Sequence, residues 1–250
     1  MSQLPLSSRN VILHFHLFKN AGTSLDALLK ENFPAQWLTK EFDSNKALNH
    51  LQLVDWIKQN PEAICFSSHT AKLPPPEIDG VNIYPLIFMR HPIDRIASVY
   101  LFEKKQGGDG KWPTIARNTS FKGYLEERLI RSADRQCINF HVERFASMFP
   151  NNVGSEFERA KLALETLPFV GIVEDYEGSV QRMTQWLKPH FPNFKANVHR
   201  LNTTRDSELS LERKLEAIRE EVGLEMFALL EERNLSDLKL YSDFVSQIER

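Results

Sequence analysis

A short polar loop between a predicted strand and a predicted helix carries residue types that bind anions. The segment Lys19-Asn-Ala-Gly-Thr-Ser24 follows the apolar run 11–18 and precedes leucines at helical spacing. Such a loop points backbone N–H groups and the positive end of the helix dipole at one spot, which suits phosphate or sulfate. Lys19 adds a positive charge, and Thr23 and Ser24 add hydroxyl donors. The lysine precedes the glycine, whereas in the Walker motif of P-loop kinases it follows the glycines.

A second cation, Arg90, stands directly after the predicted strand 83–89. Ligands of open α/β sheets bind beyond the carboxyl ends of the strands, and Arg90 lies at such an end. Ser98 follows about two helical turns later, so the two side chains could hold one phosphate from two sides. The alternative interpretation of Arg90 is a surface ion pair with Asp94. No aspartate stands at the end of this strand to hold magnesium.

His69 is the candidate for a general base. It follows the short predicted strand 63–66, and an imidazole with an unperturbed pKa of about 6.5 can accept a proton at neutral pH. Judged without other information, a lone histidine at this position is more often structural. His14 and His16 alternate with apolar residues on the first predicted strand, so we interpret them as packed side chains. The histidines lack ligand spacing to cysteine or carboxylate partners, and no metal site is predicted.

The alternation of predicted strands and helices positions these residues. Strand, loop and helix at 11–33 form the first half of a βαβ unit. The whole pattern predicts one α/β domain over residues 1–250, a P-loop-like three-layer sandwich around a central, mostly parallel sheet. The other predicted strands cover 63–66, 83–89 and 169–173, and the other predicted helices cover 45–59, 93–101, 121–130, 157–167, 178–187 and most of 209–250.

The composition excludes several classes of partner. The 250 residues carry a formal net charge of −2, so no global positive field attracts nucleic acid or an anionic membrane, and an anion site has to be built locally. The two cysteines, Cys65 and Cys137, have no CxxC spacing and are interpreted as free thiols in a reducing compartment. We find no secretory signal and no apolar stretch of membrane-spanning length. We therefore expect a cytoplasmic protein without stable membrane insertion.

Five blocks of the sequence, in the same order, resemble the sulfotransferases that use PAPS (3′-phosphoadenosine 5′-phosphosulfate). Residues 19–25 resemble the family's 5′-phosphosulfate loop, although Asn20 stands where threonine or serine is more typical, and residues 90–98 resemble its 3′-phosphate motif. Three further blocks resemble the carbohydrate branch, especially the heparan sulfate 6-O- and 2-O-sulfotransferases: Phe169-Val-Gly-Ile-Val-Glu174, Arg200-Leu-Asn-Thr-Thr-Arg205 and Asp237-Leu-Lys-Leu-Tyr241. The resemblance runs from about residue 11 to residue 241. The membrane anchor of the Golgi-resident members is not found, which agrees with the cytoplasmic expectation.

The resemblance implies PAPS as the sulfuryl donor, PAP (3′-phosphoadenosine 5′-phosphate) as the product, and no metal. It implies that His69 is the catalytic base and that Lys19 stabilises the leaving 5′-phosphate. Arg90 and Ser98 would hold the 3′-phosphate, and the segment 200–205 would close over the nucleotide. The implied cofactor contacts are Lys19, Asn20, Ala21, Gly22, Thr23, Ser24, Leu25, Arg90, Ser98, Thr203, Thr204 and Arg205.

Two other functions stay open. A P-loop-type kinase for a nucleotide or small molecule would need a lysine after the glycines and a metal-binding carboxylate, and we find neither. A non-catalytic module that binds the nucleotide or a sulfated glycan is disfavoured by the presence of Lys19 and His69. The acceptor cannot be identified from the residues, although the resemblance favours a carbohydrate hydroxyl over a small molecule. We expect its pocket in the variable loops 73–81 and 105–118.

Overall fold

The computed structural model describes residues 8–197 and 209–248, and it has the expected mixed α/β architecture. A central, parallel four-stranded sheet is flanked by helices. The described chain divides into two compact units, residues 8–88 with 165–197 and residues 89–164 with 209–248. None of the described helices is long and apolar enough to cross a membrane.

The strands and helices are numbered in chain order. The strands are β1 (Arg9–Phe15), β2 (Trp37–Thr39), β3 (Cys65–Ser68), β4 (Val81–Leu86), β5 (Phe88–Met89) and β6 (Gly171–Ile172). The helices are α1 (Gly22–Asn32), α2 (Lys46–Gln59), α3 (Pro92–Lys105), α4 (Lys111–Asn118), α5 (Phe121–Leu129), α6 (Phe140–Ala146), α7 (Glu156–Thr166), α8 (Tyr176–Leu187), α9 (Leu211–Val222), α10 (Leu224–Arg233) and α11 (Leu235–Ile248).

The main sheet of the first unit has the strand order β2-β3-β1-β4, and all its pairings are parallel. His14 of β1 lies opposite Ser67 of β3, and beyond the last paired residues the His16 amide donates to the Ser68 carbonyl at 2.9 Å. Parallel strands end at the same edge of a sheet. The loop after β1 and the residue after β3, His69, are therefore brought to one edge.

The two faces of this sheet are covered by different helices. Ile12 and Cys65 share an apolar cluster with α1 and α8, to which α1 contributes Leu25 and Leu28. The next residue of β3, Phe66, points to the opposite face, where its ring lies 4.8 Å from that of Trp56 on α2. The first unit is thus a helix–sheet–helix sandwich, as the sequence predicts.

Most predicted elements are confirmed, with differences at their ends. The first strand ends at Phe15 rather than residue 18, because the chain there turns into the polar loop. The strand predicted at 83–89 is divided into β4 and β5. The sequence analysis missed β2, α4 and α6. β2 has three residues, too few for a periodic pattern, and α4 occupies 111–118 of the predicted variable loop.

The second unit is helical and contains a buried ionic group. The side chain of Arg128 is only 2% exposed and donates to Glu103 Oε1 at 2.7 Å and to Asp134 Oδ2 at 2.8 Å. Its Nε donates to the Tyr124 hydroxyl at 2.8 Å, and its guanidinium carbon lies 3.6 Å from the centre of the Trp112 ring. One cation therefore serves two carboxylates, which would be buried without a counter-charge if it were removed.

We expect Arg128→Ala to lower the free energy of unfolding by about 3–5 kcal/mol, because it leaves uncompensated buried charge. Urea unfolding followed by circular dichroism measures this change. The matched control is Arg213→Ala, since Arg213 also pairs with a glutamate at 2.8 Å but is 72% exposed. The control should cost about 1 kcal/mol or less. A comparable loss in both variants would contradict this account of the buried group.

Candidate functional site

The loop between β1 and α1 turns into the helix through two residues with left-handed backbone. Lys19 and Ala21 have φ values of 63° and 59°, in the left-handed region that costs a non-glycine residue about 1–2 kcal/mol. The Ala21 carbonyl accepts hydrogen bonds from the amides of Ser24 at 3.0 Å and Leu25 at 3.1 Å. The first two amides of α1 have no acceptor within the helix. The sequence-predicted order of strand, loop and helix is present, and the turn holds local backbone strain.

The side chains of the predicted loop contacts differ in exposure. Thr23 is exposed and Lys19 is half-buried, whereas Asn20, Ser24 and Leu25 are buried. The Asn20 amide donates to the carbonyl two residues earlier at 3.0 Å, which braces the turn. Leu25 belongs to the apolar cluster under α1. Because the side chains of Asn20 and Leu25 are buried, only the backbone of these two residues could contact a ligand.

The carboxylate of Asp26, in the second turn of α1, is the centre of a hydrogen-bonded group. It accepts from His14 Nδ1 at 2.8 Å and from His16 Nδ1 at 2.9 Å, one on each oxygen. The Ser67 hydroxyl donates to Asp26 Oδ1 at 2.6 Å. Burial alone would raise the pKa of Asp26, but the hydrogen bonds from the two histidines and the serine outweigh it and hold the pKa well below its usual range. The carboxylate is therefore ionised, and both histidines carry a proton on Nδ1.

His16 connects this group to the loop. A Cβ atom on Gly22 would lie 2.2 Å from His16 Nε2 and 2.0 Å from His16 Cδ2, so this edge of the imidazole lies against the first residue of α1. Glycine is required here by the close approach of the ring. Burial, together with the imidazoles of His14 and His69, lowers the pKa of His16 to about 4, although Asp26 opposes this shift. His16 is thus neutral near pH 7, with Nε2 unprotonated.

His69 also contacts His16, and it has a carboxylate partner of its own. The two rings lie 3.9 Å apart between centroids. His69 Nδ1 is 2.7 Å from Glu41 Oε1, and both side chains are about half exposed, at 50% and 48%. Burial would raise the pKa of Glu41, but hydrogen bonds from His69 and Thr70 lower it overall. Glu41 can therefore orient His69 with Nδ1 protonated and Nε2 available to accept a proton, the arrangement of a carboxylate-assisted base.

Three residues of this group have side chains of the kinds that can coordinate a metal ion. One ligand atom from each of His14, His16 and Asp26 lies within 4.8 Å of the others. Spacing along the chain did not indicate a carboxylate partner for these histidines, but in the fold α1 brings Asp26 to both of them. The hydrogen bonds given above already engage both Asp26 oxygens and both Nδ1 atoms, so we treat the cluster as a hydrogen-bonded group. The sequence expectation of no metal stays a prediction.

Arg90 and Ser98 both lie in the second unit. Arg90 Nε and Nη2 each lie 2.7 Å from Asp94 Oδ2, so the ion pair considered as an alternative is present. Asp94 and Ser98 are buried on α3. An arginine held by a neighbouring carboxylate keeps a fixed direction, which is compatible with binding a phosphate. The predicted contacts Thr203, Thr204 and Arg205 lie outside the described residues.

Two carboxylates of the site, those of Asp26 and Glu41, were not predicted from the sequence. His14 and His16 are buried as predicted, but Asp26 approaches them because α1 returns over the same face of β1. Two histidines on one face of the first strand, followed by an aspartate in the second turn of the next helix, form a sequence pattern from which this contact could have been predicted. Glu41 lies in an irregular segment 28 residues before His69, and no local pattern connects the two.

Comparison with known proteins identifies a relative. No family model matches the chain. The chain is 40% identical over 245 residues to an uncharacterised protein of Archaeoglobus fulgidus, a match that covers 95% of this chain and 97% of the relative. The two proteins belong to one family. The description of the archaeal protein assigns no activity, so the function of this family has to be argued from the site.

The contact between Gly22 and His16 can be tested by substituting Gly22, with a substitution of its neighbour Ala21 as the control. We expect Gly22→Ala to lower the free energy of unfolding by about 1–3 kcal/mol, because the added Cβ forces a buried imidazole away from its place. Ala21→Gly is the matched control: it removes left-handed strain while freeing the unfolded chain, so the net change should stay within about 1 kcal/mol. Urea unfolding measures both variants. A Gly22→Ala protein as stable as the unmodified protein would refute the contact.

Proposed function

We propose that this chain is a sulfotransferase that moves the sulfuryl group from PAPS to an acceptor hydroxyl, with a carbohydrate as the favoured acceptor and the cytoplasm as its location. The observation that carries the proposal is the His69–Glu41 pair next to the loop at the start of α1. His69 contacts His16, and His16 contacts Gly22 of the loop. The base His69, oriented by Glu41, is thus separated only by the ring of His16 from a turn that suits a sulfate or phosphate group.

The proposed reaction is an in-line displacement at sulfur. The acceptor hydroxyl oxygen forms a bond to sulfur while His69 Nε2 takes the hydroxyl proton. The bond between sulfur and the bridging oxygen of the 5′-phosphate breaks, and its electron pair stays on PAP. Charge grows on that oxygen as it leaves, where Lys19 and the first amides of α1 would stabilise it. Glu41 would stabilise the imidazolium that His69 becomes.

The described residues give less support to phosphoryl transfer with magnesium. A kinase site needs a carboxylate whose oxygens are available to the metal or its waters. Asp26 is the acidic residue of α1 near the loop, and both of its oxygens already accept hydrogen bonds from histidines. A magnesium-dependent ATPase assay on the purified protein separates the two functions, since the proposal expects no stimulation of ATP hydrolysis by Mg²⁺.

The role of His69 predicts a separation of binding from turnover. We expect His69→Ala to keep its affinity for PAP within about threefold and to lose about a hundredfold or more in turnover, the usual contribution of a general base. Glu41→Gln should lose less, about tenfold to a hundredfold, because it disturbs only the orientation and charge of His69. Calorimetry with PAP and a labelled-PAPS assay over glycan and small-molecule acceptors provide the two readouts.

His190→Ala is the control for these variants, because that histidine packs against Tyr84 and has no part in the proposed reaction. Its turnover should stay close to that of the unmodified protein. If His69→Ala loses PAP affinity and turnover equally, His69 is not the base. If PAP does not bind to the unmodified protein, the whole proposal fails.

The sequence-derived role of Arg90 gives a second prediction. Arg90→Ala should weaken binding of PAP about tenfold to a hundredfold, as expected for loss of a charge-assisted contact to phosphate. Binding of adenosine 5′-phosphate, which lacks the 3′-phosphate, should change about threefold or less. Calorimetric titration of both nucleotides provides the comparison. An equal effect on the two nucleotides would show that Arg90 does not contact the 3′-phosphate.

A further inference from the structure

Asp94, in the first turn of α3, holds Arg90 with one carboxylate oxygen and leaves the other oxygen without a partner. Arg90 Nε and Nη2 each lie 2.7 Å from Asp94 Oδ2, so both contacts fall on the same oxygen. Asp94 Oδ1 is buried and accepts no hydrogen bond within residues 8–197 and 209–248. A buried carboxylate oxygen without a donor is uncommon, because the hydration it has lost is not replaced. Its position therefore indicates a donor that a ligand supplies.

The unpartnered oxygen belongs to the side chain that orients the cation proposed to hold a phosphate. The pair lies close below the surface, since the Arg90 side chain is 15% exposed and that of Asp94 is 3% exposed. Ser98, the other proposed phosphate contact, follows Asp94 by four residues and so lies on the same face of α3. A phosphate bound by Arg90 and Ser98 would thus have Asp94 as a neighbour.

The chemistry of the ligand follows from this arrangement. A carboxylate repels a phosphate group beside it, and this cost is offset when the ligand donates a hydrogen bond to the carboxylate. An ionised carboxylate accepts hydrogen bonds and donates none, so the ligand group that meets Oδ1 has to be a donor. In PAP the 2′-hydroxyl stands on the ribose carbon next to the one that carries the 3′-phosphate. It is the donor of the nucleotide nearest to that phosphate.

We infer that Asp94 determines specificity for the sugar of the nucleotide: Oδ1 accepts a hydrogen bond from the ribose 2′-hydroxyl while Oδ2 holds Arg90 for the neighbouring 3′-phosphate. The inference rests on the proposed function and deepens it, because it names ribose rather than 2′-deoxyribose as the sugar that the site selects. An ion pair with Arg90 alone accounts for Oδ2 but leaves Oδ1 unexplained.

Three nucleotides test this role on the unmodified protein by calorimetry: PAP, its 2′-deoxy counterpart and its 2′-deoxy-2′-fluoro counterpart. We expect the 2′-deoxy nucleotide to bind about tenfold more weakly than PAP or worse, the usual effect of losing a hydrogen bond to a charged group. Fluorine cannot donate a hydrogen bond, so the fluorinated nucleotide should bind no better than the 2′-deoxy one. Equal affinities for PAP and its 2′-deoxy counterpart would overturn the inference. A fluorinated nucleotide that binds as tightly as PAP would also overturn it.

Asp94→Ala separates recognition of the hydroxyl from the orientation of Arg90. The substitution removes the acceptor and releases Arg90, so it should weaken binding of PAP and of the 2′-deoxy nucleotide, and the preference between them should fall to about threefold or less. A residue that only orients Arg90 would weaken both nucleotides by the same factor and leave the preference unchanged. A preference that persists in folded Asp94→Ala protein would therefore contradict the assignment. If this variant does not fold, the comparison with the fluorinated nucleotide decides.

Asp243→Ala is the matched control. Asp243 on α11 also pairs with a cation four residues away, Lys239, at 3.1 Å, and its side chain is 39% exposed. The control should change neither the affinity for PAP nor the preference for it over the 2′-deoxy nucleotide. Circular dichroism shows whether both variants are folded.

The outcomes distinguish this inference from the proposed function. If PAP and its 2′-deoxy counterpart bind equally well, the inference fails and the sulfotransferase assignment stands. If the expected preference is found but PAPS sulfates no acceptor, the inference stands and the sulfotransferase assignment fails. If none of the nucleotides binds, both are overturned.

Discussion

The hydrogen bonds to Asp26 are the interaction on which the site depends. A carboxylate removed from water destabilises the fold unless donors replace the lost hydration, and here three donors do so. They come from β1 and β3, while the carboxylate comes from α1, so one charge connects three elements of the first unit. The contact fixes α1 over the face of β1 that carries His14, with His16 one residue beyond the end of the strand. Without it the two buried imidazoles would lack the partner that fixes their tautomers.

The position of α1 determines the loop in front of it. The chain leaves β1 at Phe15 and has to begin a helix at Gly22 while the ring of His16 lies against that helix start. It does so through left-handed residues at Lys19 and Ala21, which are unfavourable for side chains with a Cβ. Strain of this kind persists where the surrounding structure determines the backbone, which is frequent at functional sites.

His16 and His69 are in contact, yet they have different surroundings. His16 is buried and its Nδ1 is bound to Asp26, whereas His69 is half exposed and its Nδ1 is bound to Glu41. Both are oriented so that Nε2 is the unprotonated nitrogen. The two rings lie 3.9 Å apart between centroids. In the proposed reaction the half-exposed ring of His69 is the one accessible to an acceptor hydroxyl.

The amino-acid sequence by itself determined the fold class, most of the helices and strands, and the loop after the first strand. These follow from local signals, since apolar periodicity and small polar residues act over a few neighbouring positions. The candidacy of His69 rested on the resemblance to a family rather than on a local pattern. The short β2 and the helices α4 and α6 escaped this reasoning because packing, rather than pattern, decides such elements. The carboxylate partners were decided by tertiary structure alone. Asp26 meets His14 across 12 residues, and Glu41 meets His69 across 28, because strand order and the path of α1 bring them together. Periodicity reports which side chains are buried, but which polar groups pair inside a fold depends on the register of parallel strands and the placement of helices over them.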